Sequence, residues 1–194
     1  MPVTRHGTRA TSPLACDAGD PASPLADAGQ SRVTLSTSVP DGTETTSAAT
    51  GTTSVCNVAG LCSTAGPVGG MHVDRKAPTL ACSAPPAAWQ PDNATVTCTS
   101  TDGGSGLADP ADATFTLRTS VEAGAESPSA STDSRRVCDQ VGNCATAGPY
   151  SGPRIDRLAP QVVSDHADGL WHASNVDLTC AHTDNGSGLS SPAR

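Results

Sequence analysis

Residues 94–107, ATVTCTSTDGGSGL, recur 82 positions later as VDLTCAHTDNGSGL at residues 176–189. In the first stretch Ala94, Val96 and Cys98 alternate with threonines, and in the second Val176, Leu178 and Cys180 alternate with polar residues apart from one alanine. A period of two indicates a strand with one buried face. The Asp, Gly and Ser that follow are typical of a turn. The stretch therefore predicts, twice, a β-strand that runs into a tight turn.

The recurrence extends over most of the chain without a gap. Residues 16–78 match 98–160 at 29 of 63 positions, and residues 79–112 match 161–194 at 12 of 34. We predict an 82-residue repeat in three copies: 1–78 lacks its first strand, 79–160 is complete, and 161–194 is the truncated start of a third. Because both terminal copies are incomplete, we expect the chain to be a fragment of a longer array.

The pattern inside one copy predicts an all-β fold. Phe115 and Leu117 alternate with polar residues, and residues 138–144, CDQVGNC, place turn-forming residues between two cysteines, which predicts a hairpin. Pro, Gly and Ser separate these runs. Short strands joined by frequent turns favour tandem immunoglobulin-like β-sandwiches.

The predicted core is poor in large apolar side chains, since the whole chain has two Trp, one Tyr and one Phe. The two tryptophans lie 82 positions apart, which favours core packing over a sugar-binding platform. The core residues that we predict are Trp89, Trp171, Phe115, Leu117 and Val96. A core of this size generally needs crosslinks.

Eight cysteines provide candidate crosslinks and indicate an oxidising compartment. The favoured disulfides are the hairpin pairs Cys56–Cys62 and Cys138–Cys144, with Cys82–Cys98 as a further candidate. An alternative joins Cys98 to Cys138 across the two sheets. Zinc is a second alternative, although five residues between paired cysteines is a wider gap than the usual two to four.

With these residues in register, the chain resembles the immunoglobulin-like repeats of large bacterial secreted and surface proteins. The shared pattern comprises Trp89, Cys98 and residues 101–107, 115–117, 137–144 and 155–160. Similar arrays precede the PxKF domain in some bacterial proteins, and hyalin repeats share the Asp-x-x-Gly-Asn pattern. The resemblance implies a β-sandwich array with a structural or adhesive role. The first copy departs from it, with Asn57 and Leu61 at the positions of Asp139 and Asn143.

Charge and hydropathy exclude several kinds of partner. The net charge of −8 argues against nucleic acid, and no apolar run is long enough to insert in a membrane. The N-terminus has no apolar segment of the kind found in signal peptides, so we expect the export signal to lie outside this chain. The expected location is extracellular or on the cell surface.

No motif supports catalysis, and we predict that the chain is not an enzyme. Residues 5–10, RHGTRA, nearly match the RHGxRxP motif of histidine acid phosphatases but lack the final Pro, and no His-Asp pair follows. The histidines 166, 172 and 182 near Cys180 have no counterparts in the second copy, which favours drift over a metal site.

No cofactor is predicted, and calcium is the only candidate ion. Calcium prefers clustered carboxylate oxygens from loops. The candidate ligands are the aspartates that recur in turns or at copy boundaries: Asp20, Asp102, Asp184, Asp109 and Asp156. The alternative for each is an Asx turn, in which the carboxylate caps its own backbone.

These observations predict a non-catalytic stalk or spacer in a larger extracellular bacterial protein. The expected partners are neighbouring repeats of the same chain and an unidentified surface protein. Two alternatives stay open at this point. One is a calcium- or ligand-binding adhesion module, and the other is an accessory region of a secreted enzyme whose catalytic domain lies outside this chain.

Overall fold

A computed structural model describes residues 14–190 and shows an all-β protein. Within these residues short strands account for nearly all regular structure, joined by turns and two 3-10 turns at Ala28–Ser31 and Pro110–Ala113. The strands of the first half are β1 Leu14–Asp17, β2 Arg32–Leu35, β3 Glu44–Ala48, β4 Thr53–Cys56, β5 Cys62–Ala65, β6 Met71–Asp74, β7 Thr79–Cys82 and β8 Trp89–Gln90. Those of the second half are β9 Thr95–Thr101, β10 Thr114–Arg118, β11 Glu126–Ser127, β12 Arg135–Cys138, β13 Cys144–Ala147, β14 Arg154–Asp156, β15 Gln161–Ser164 and β16 Cys180–Thr183.

The strands form small sheets of two or three members. Four are two-stranded and antiparallel or hairpin-like, with orders β1-β2, β3-β6, β4-β5 and β12-β13. Two are three-stranded, with orders β10-β9-β7 and β11-β14-β8, and β15 pairs with β16. In β4-β5 the register places Cys56 opposite Cys62, as expected for a hairpin closed by its cysteines. The all-β class and the predicted hairpins are therefore confirmed.

The chain divides into two compact units that interleave along the sequence. Unit 1 contains the described residues up to Ala81 together with Thr99–Phe115 and Arg136–Thr146. Unit 2 contains Cys82–Cys98, Thr116–Arg135 and the described residues from Ala147 onward. The predicted domain boundaries at residues 78 and 160 stay a prediction.

Each unit has a small apolar cluster, and the two clusters use related positions. In unit 1 Val39, Ala48 and Val73 pack together. In unit 2 the cluster is formed by Ala94, Ala130 and Ile155, with Val121 packed against it. Val121, Ala130 and Ile155 lie 82 residues after the three members in unit 1. The interior side chains are mostly Val and Ala, so each cluster buries little area and contributes little hydrophobic free energy.

The three disulfides supply part of the missing stabilisation. Sulfur–sulfur distances are 1.99 Å for Cys56–Cys62, 2.05 Å for Cys82–Cys98 and 2.10 Å for Cys138–Cys144. The alternative bond between Cys98 and Cys138 is therefore wrong. These bonds indicate an oxidising environment. Free thiols are present at Cys16 and at Cys180, which lies opposite Ser164 where Cys98 has Cys82.

Four of the five predicted core residues are removed from solvent to some degree, and one is not. Val96, Phe115 and Leu117 are buried, and Trp89 is half-buried. The backbone at Trp89 pairs in parallel with Arg154 of β14. The prediction for Trp171 is wrong, because its side chain is fully exposed. No described strand pairs with residue 171, and the positions that correspond to β14 lie beyond residue 194.

The predicted strand through Val176 and Leu178 is also wrong in extent. Both side chains are more than half exposed, and the strand begins only at Cys180. In the second copy β9 lies between β7 and β10, whereas β16 has β15 as its one described neighbour. A strand flanked on one side has fewer hydrogen bonds and less apolar cover, so it extends over fewer residues.

No helix in the described range 14–190 is long and apolar enough to pass through a lipid bilayer. The motif at residues 5–10 lies outside the described residues.

Candidate metal site

Three carboxylates that are far apart in the sequence meet in unit 1. Glu44 begins β3, Asp74 ends β6, and the register of these antiparallel strands places the two residues opposite each other. Asp102 follows directly after β9. One oxygen of each residue lies within 4.8 Å of the others. We call Glu44, Asp74 and Asp102 the first acidic cluster.

Asp74 is the most buried member, with 2% of its surface exposed. Its Oδ1 accepts a hydrogen bond from the amide of Lys76 at 3.1 Å, and its Oδ2 accepts one from the amide of Ser105 at 2.7 Å. Burial raises the pKa of Asp74, but these hydrogen bonds outweigh burial and hold the pKa below its usual value. Asp74 is therefore held ionised in a nearly dry place.

The glycines of the loop 101–107 let its backbone approach the carboxylates. A Cβ atom on residue 103 would lie 2.6 Å from Glu44 Oε1, and one on residue 104 would lie 2.5 Å from Asp74 Oδ2. Both distances are shorter than a carbon–oxygen contact allows. Because only glycine fits at these two positions, the Gly-Gly pair of the turn also serves to bring the loop against the cluster.

Glu44 is only partly neutralised. Its Oε1 lies 3.4 Å from Lys76 Nζ, and both side chains keep some exposure to solvent. Its Oε2 is buried and accepts no hydrogen bond from any described residue. A buried carboxylate oxygen without a donor lowers stability, since it has lost its water and gained nothing in exchange.

Asp139 adds a fourth carboxylate to this neighbourhood. It is 2% exposed and holds its own hairpin loop, accepting hydrogen bonds from the amides of Val141 at 3.0 Å and Asn143 at 2.7 Å. Burial raises the pKa of Asp102, although the amide of Gly106 lowers it, and the charges of Asp74, Asp139 and Glu44 raise it further. The raised pKa shows that this region repels additional negative charge.

A second acidic cluster of the same composition lies in unit 2. It consists of Glu126, Asp156 and Asp184, and one oxygen of each again lies within 4.8 Å of the others. Glu126 lies opposite Asp156 in the pairing of β11 with β14. Each member lies 82 residues after its counterpart in the first acidic cluster.

The loop contacts recur as well. The amide of Ser187 donates to Asp156 Oδ2 at 2.7 Å, as Ser105 does to Asp74. A Cβ atom on Gly186 would lie 2.6 Å from both Asp156 Oδ2 and Glu126 Oε2. Glu126 Oε2 is also buried without a hydrogen-bond partner among the described residues. One difference stands out: the position of Lys76 is occupied by Leu158.

The structure separates the five predicted calcium ligands into two groups. Asp102, Asp156 and Asp184 enter the acidic clusters. Asp109 instead caps the second 3-10 turn, where its Oδ1 accepts from the amide of Ala111 at 2.9 Å, and its side chain is exposed. Asp20 accepts a hydrogen bond at 2.8 Å from the side-chain amide of Asn57. For Asp20 and Asp109 the turn interpretation describes the contacts.

The two glutamates are the ligands that sequence reasoning missed. Glu44 and Glu126 precede no recognisable motif, and each lies about thirty residues before its aspartate partner. The available signal was their recurrence 82 positions apart, inside a region where most other residues differ. Asp74 was noted as the counterpart of Asp156 but was not selected.

No protein-family model, curated protein or solved structure matches this chain. What the structure establishes is the class: an all-β protein with three disulfides.

Asp20 and Asp102 occupy corresponding positions in opposite environments, which gives a paired prediction. A hydrogen bond from the Asn57 side chain, with further ones from the Ala22 and Ser23 amides, lowers the pKa of Asp20. Its contribution to stability is therefore present above the pKa of the unfolded chain and is lost as the pH falls through the lowered value. Asp102 has a raised pKa, so its ionised form opposes folding above that value.

At pH 7 in a chelator, Asp102→Asn is expected to raise Tm, whereas Asp20→Asn is expected to lower it. The measurement is thermal unfolding followed by circular dichroism. The two variants are matched, because each replaces one carboxylate with an isosteric amide at the same repeat position. A lower Tm for Asp102→Asn would show that Asp102 is not opposed by its neighbours.

Proposed function

We propose that this chain is a segment of tandem immunoglobulin-like β-sandwich repeats that acts as a non-catalytic stalk or spacer in a larger extracellular protein. The observation that carries the proposal is the recurrence of the same small interior 82 residues apart. Val39, Ala48 and Val73 in one unit correspond to Val121, Ala130 and Ile155 in the other. A repeated fold without an individualised interior is typical of arrays built for length.

Crosslinking and composition support an extracellular setting. Two of the three disulfides close hairpins at corresponding positions, and disulfides persist where the medium is oxidising. Net charge is −8, which favours solubility over binding to nucleic acid or anionic lipid. The partners in this proposal are neighbouring repeats and a surface protein that the array contacts or displays.

A display experiment tests the spacer role. A small binding domain is fused to the N-terminal end of the chain, the C-terminal end is anchored on a cell, and capture of a bulky bead-bound ligand is measured. The matched control replaces the chain with a Gly/Ser linker of equal length, which behaves as a random coil with an end-to-end distance of only about 5–6 Å times the square root of its residue number. We expect severalfold more capture with this chain than with the linker. Equal capture would contradict a spacer role.

A further inference from the structure

We propose that each acidic cluster is a calcium site, with the glutamate, the two aspartates and nearby loop oxygens as ligands. The inference goes beyond the proposed spacer role, which does not require a metal. It concerns Glu44, Asp74 and Asp102 in unit 1, and Glu126, Asp156 and Asp184 in unit 2.

The geometry suits calcium. Calcium–oxygen distances are about 2.3–2.6 Å, so two ligands of one ion lie at most roughly 5 Å apart. The three carboxylate oxygens of each cluster lie within 4.8 Å of one another. All side-chain ligands are hard oxygens, which calcium prefers and which zinc and copper do not. Calcium also accepts irregular coordination completed by carbonyls and water, whereas magnesium requires a near-ideal octahedron.

The orphaned glutamate oxygens are a second and independent observation. Glu44 Oε2 and Glu126 Oε2 each have less than 1 Å² of exposed surface and no hydrogen-bond partner among the described residues. Gly186 approaches so closely that a Cβ there would lie 2.6 Å from Glu126 Oε2. The same unpaired atom recurs at the same repeat position. A bound cation would supply the partner that the protein itself does not provide.

The charge of the clusters leads to the same conclusion. In the first acidic cluster three carboxylates and the adjacent Asp139 face one ammonium group, that of Lys76. Asp74 and Asp139 are each only 2% exposed. Carboxylates that are buried together must be protonated, paired or bound to metal. Hydrogen bonds keep Asp74 ionised, so a divalent cation is the remaining way to neutralise this group.

The second acidic cluster provides the sharper case, because Leu158 replaces Lys76. A lysine ammonium competes with calcium for Glu44 Oε1, and no such competitor stands at residue 158. We therefore expect the second cluster to bind calcium more tightly than the first. Sites in extracellular modules have dissociation constants of about 10⁻⁴–10⁻³ M, and we expect both clusters to bind in or near that range.

The first experiment titrates CaCl₂ into the oxidised, metal-free full chain and follows heat and Tm. We expect two ions per chain and a rise in Tm on the order of 5 °C at calcium concentrations about tenfold above the dissociation constant, reversed by EGTA. Glu126→Gln and Glu44→Gln keep the size of the side chain and are each expected to remove one ion. Asp109→Asn is the matched control and is expected to leave the stoichiometry at two.

The second experiment exchanges the residues that distinguish the clusters. Leu158→Lys is expected to weaken calcium binding at the second cluster at least tenfold, and Lys76→Leu to strengthen it at the first by a similar factor. These variants keep all carboxylates in place, so they separate a metal site from a structural effect of removing charge. Absence of calcium-dependent heat and Tm shift in the wild-type chain would overturn the proposal. Unchanged stoichiometry in both glutamine variants would overturn it too.

Discussion

Replacing Leu117 by alanine is expected to lower the free energy of unfolding by about 3 kcal/mol, within the usual range of roughly 2–5 kcal/mol for such changes. Leu117 lies on β10 and is 1% exposed, which makes it the largest fully buried side chain in the protein. A domain is stable by only about 5–15 kcal/mol in total. Because the surrounding interior consists mainly of Val and Ala, the cavity has few large neighbours that can move to fill it.

The measurement is urea unfolding of the oxidised chain followed by circular dichroism. Leu170→Ala is the matched control, since Leu170 is 71% exposed and the same atoms are removed. We expect the control to change the free energy of unfolding by less than about 0.5 kcal/mol. A loss of equal size in both variants would mean that Leu117 is not part of a packed interior.

Removing the Cys82–Cys98 disulfide is expected to have an effect of similar size. The bond closes a loop with a sequence separation of 16, which corresponds to about 3 kcal/mol in the chain-entropy model. Cys98 is also fully buried, so replacing its sulfur leaves a small cavity. We therefore expect the double variant Cys82→Ala, Cys98→Ala to unfold at a markedly lower urea concentration than the wild type.

The Cys138–Cys144 bond provides the comparison. Its sequence separation is 6, so the same model assigns it a smaller contribution of roughly 2.4 kcal/mol. Neither of its cysteines is fully buried. The double alanine variant at 138 and 144 is expected to lose less stability than the variant at 82 and 98. The opposite order would contradict the view that loop length and burial set the contribution of each crosslink.

The hairpins show how much of this fold is local. In residues 138–144 the turn-forming residues and both cysteines lie within seven positions, and the structure joins Cys138 to Cys144. Val96 and Leu117 were recognised as interior residues because the period of two assigns every second side chain to one face. Both are buried. Such patterns depend only on neighbouring residues, so sequence reasoning reaches them.

The tryptophans show where the same reasoning stops. Trp89 and Trp171 have identical positions in the repeat, yet one is half-buried and the other fully exposed. Burial depends on which other strands are present to cover a residue. β14 lies beside Trp89, and no described strand lies beside Trp171. Repeat position alone carries no information on that cover.

By itself the sequence determined the all-β class, the hairpins and the oxidising compartment, since strand alternation, turn residues and cysteine spacing act over a few residues. It also identified Asp102, Asp156 and Asp184 as candidate ligands. Only the tertiary structure decided that Glu44 joins Asp74 and Asp102, because those three residues are about thirty positions apart and meet through strand pairing. It likewise placed Asp20 beside Asn57, outside any acidic cluster. The physical reason is that a metal site requires several oxygens around one point, and long-range packing decides which oxygens reach it.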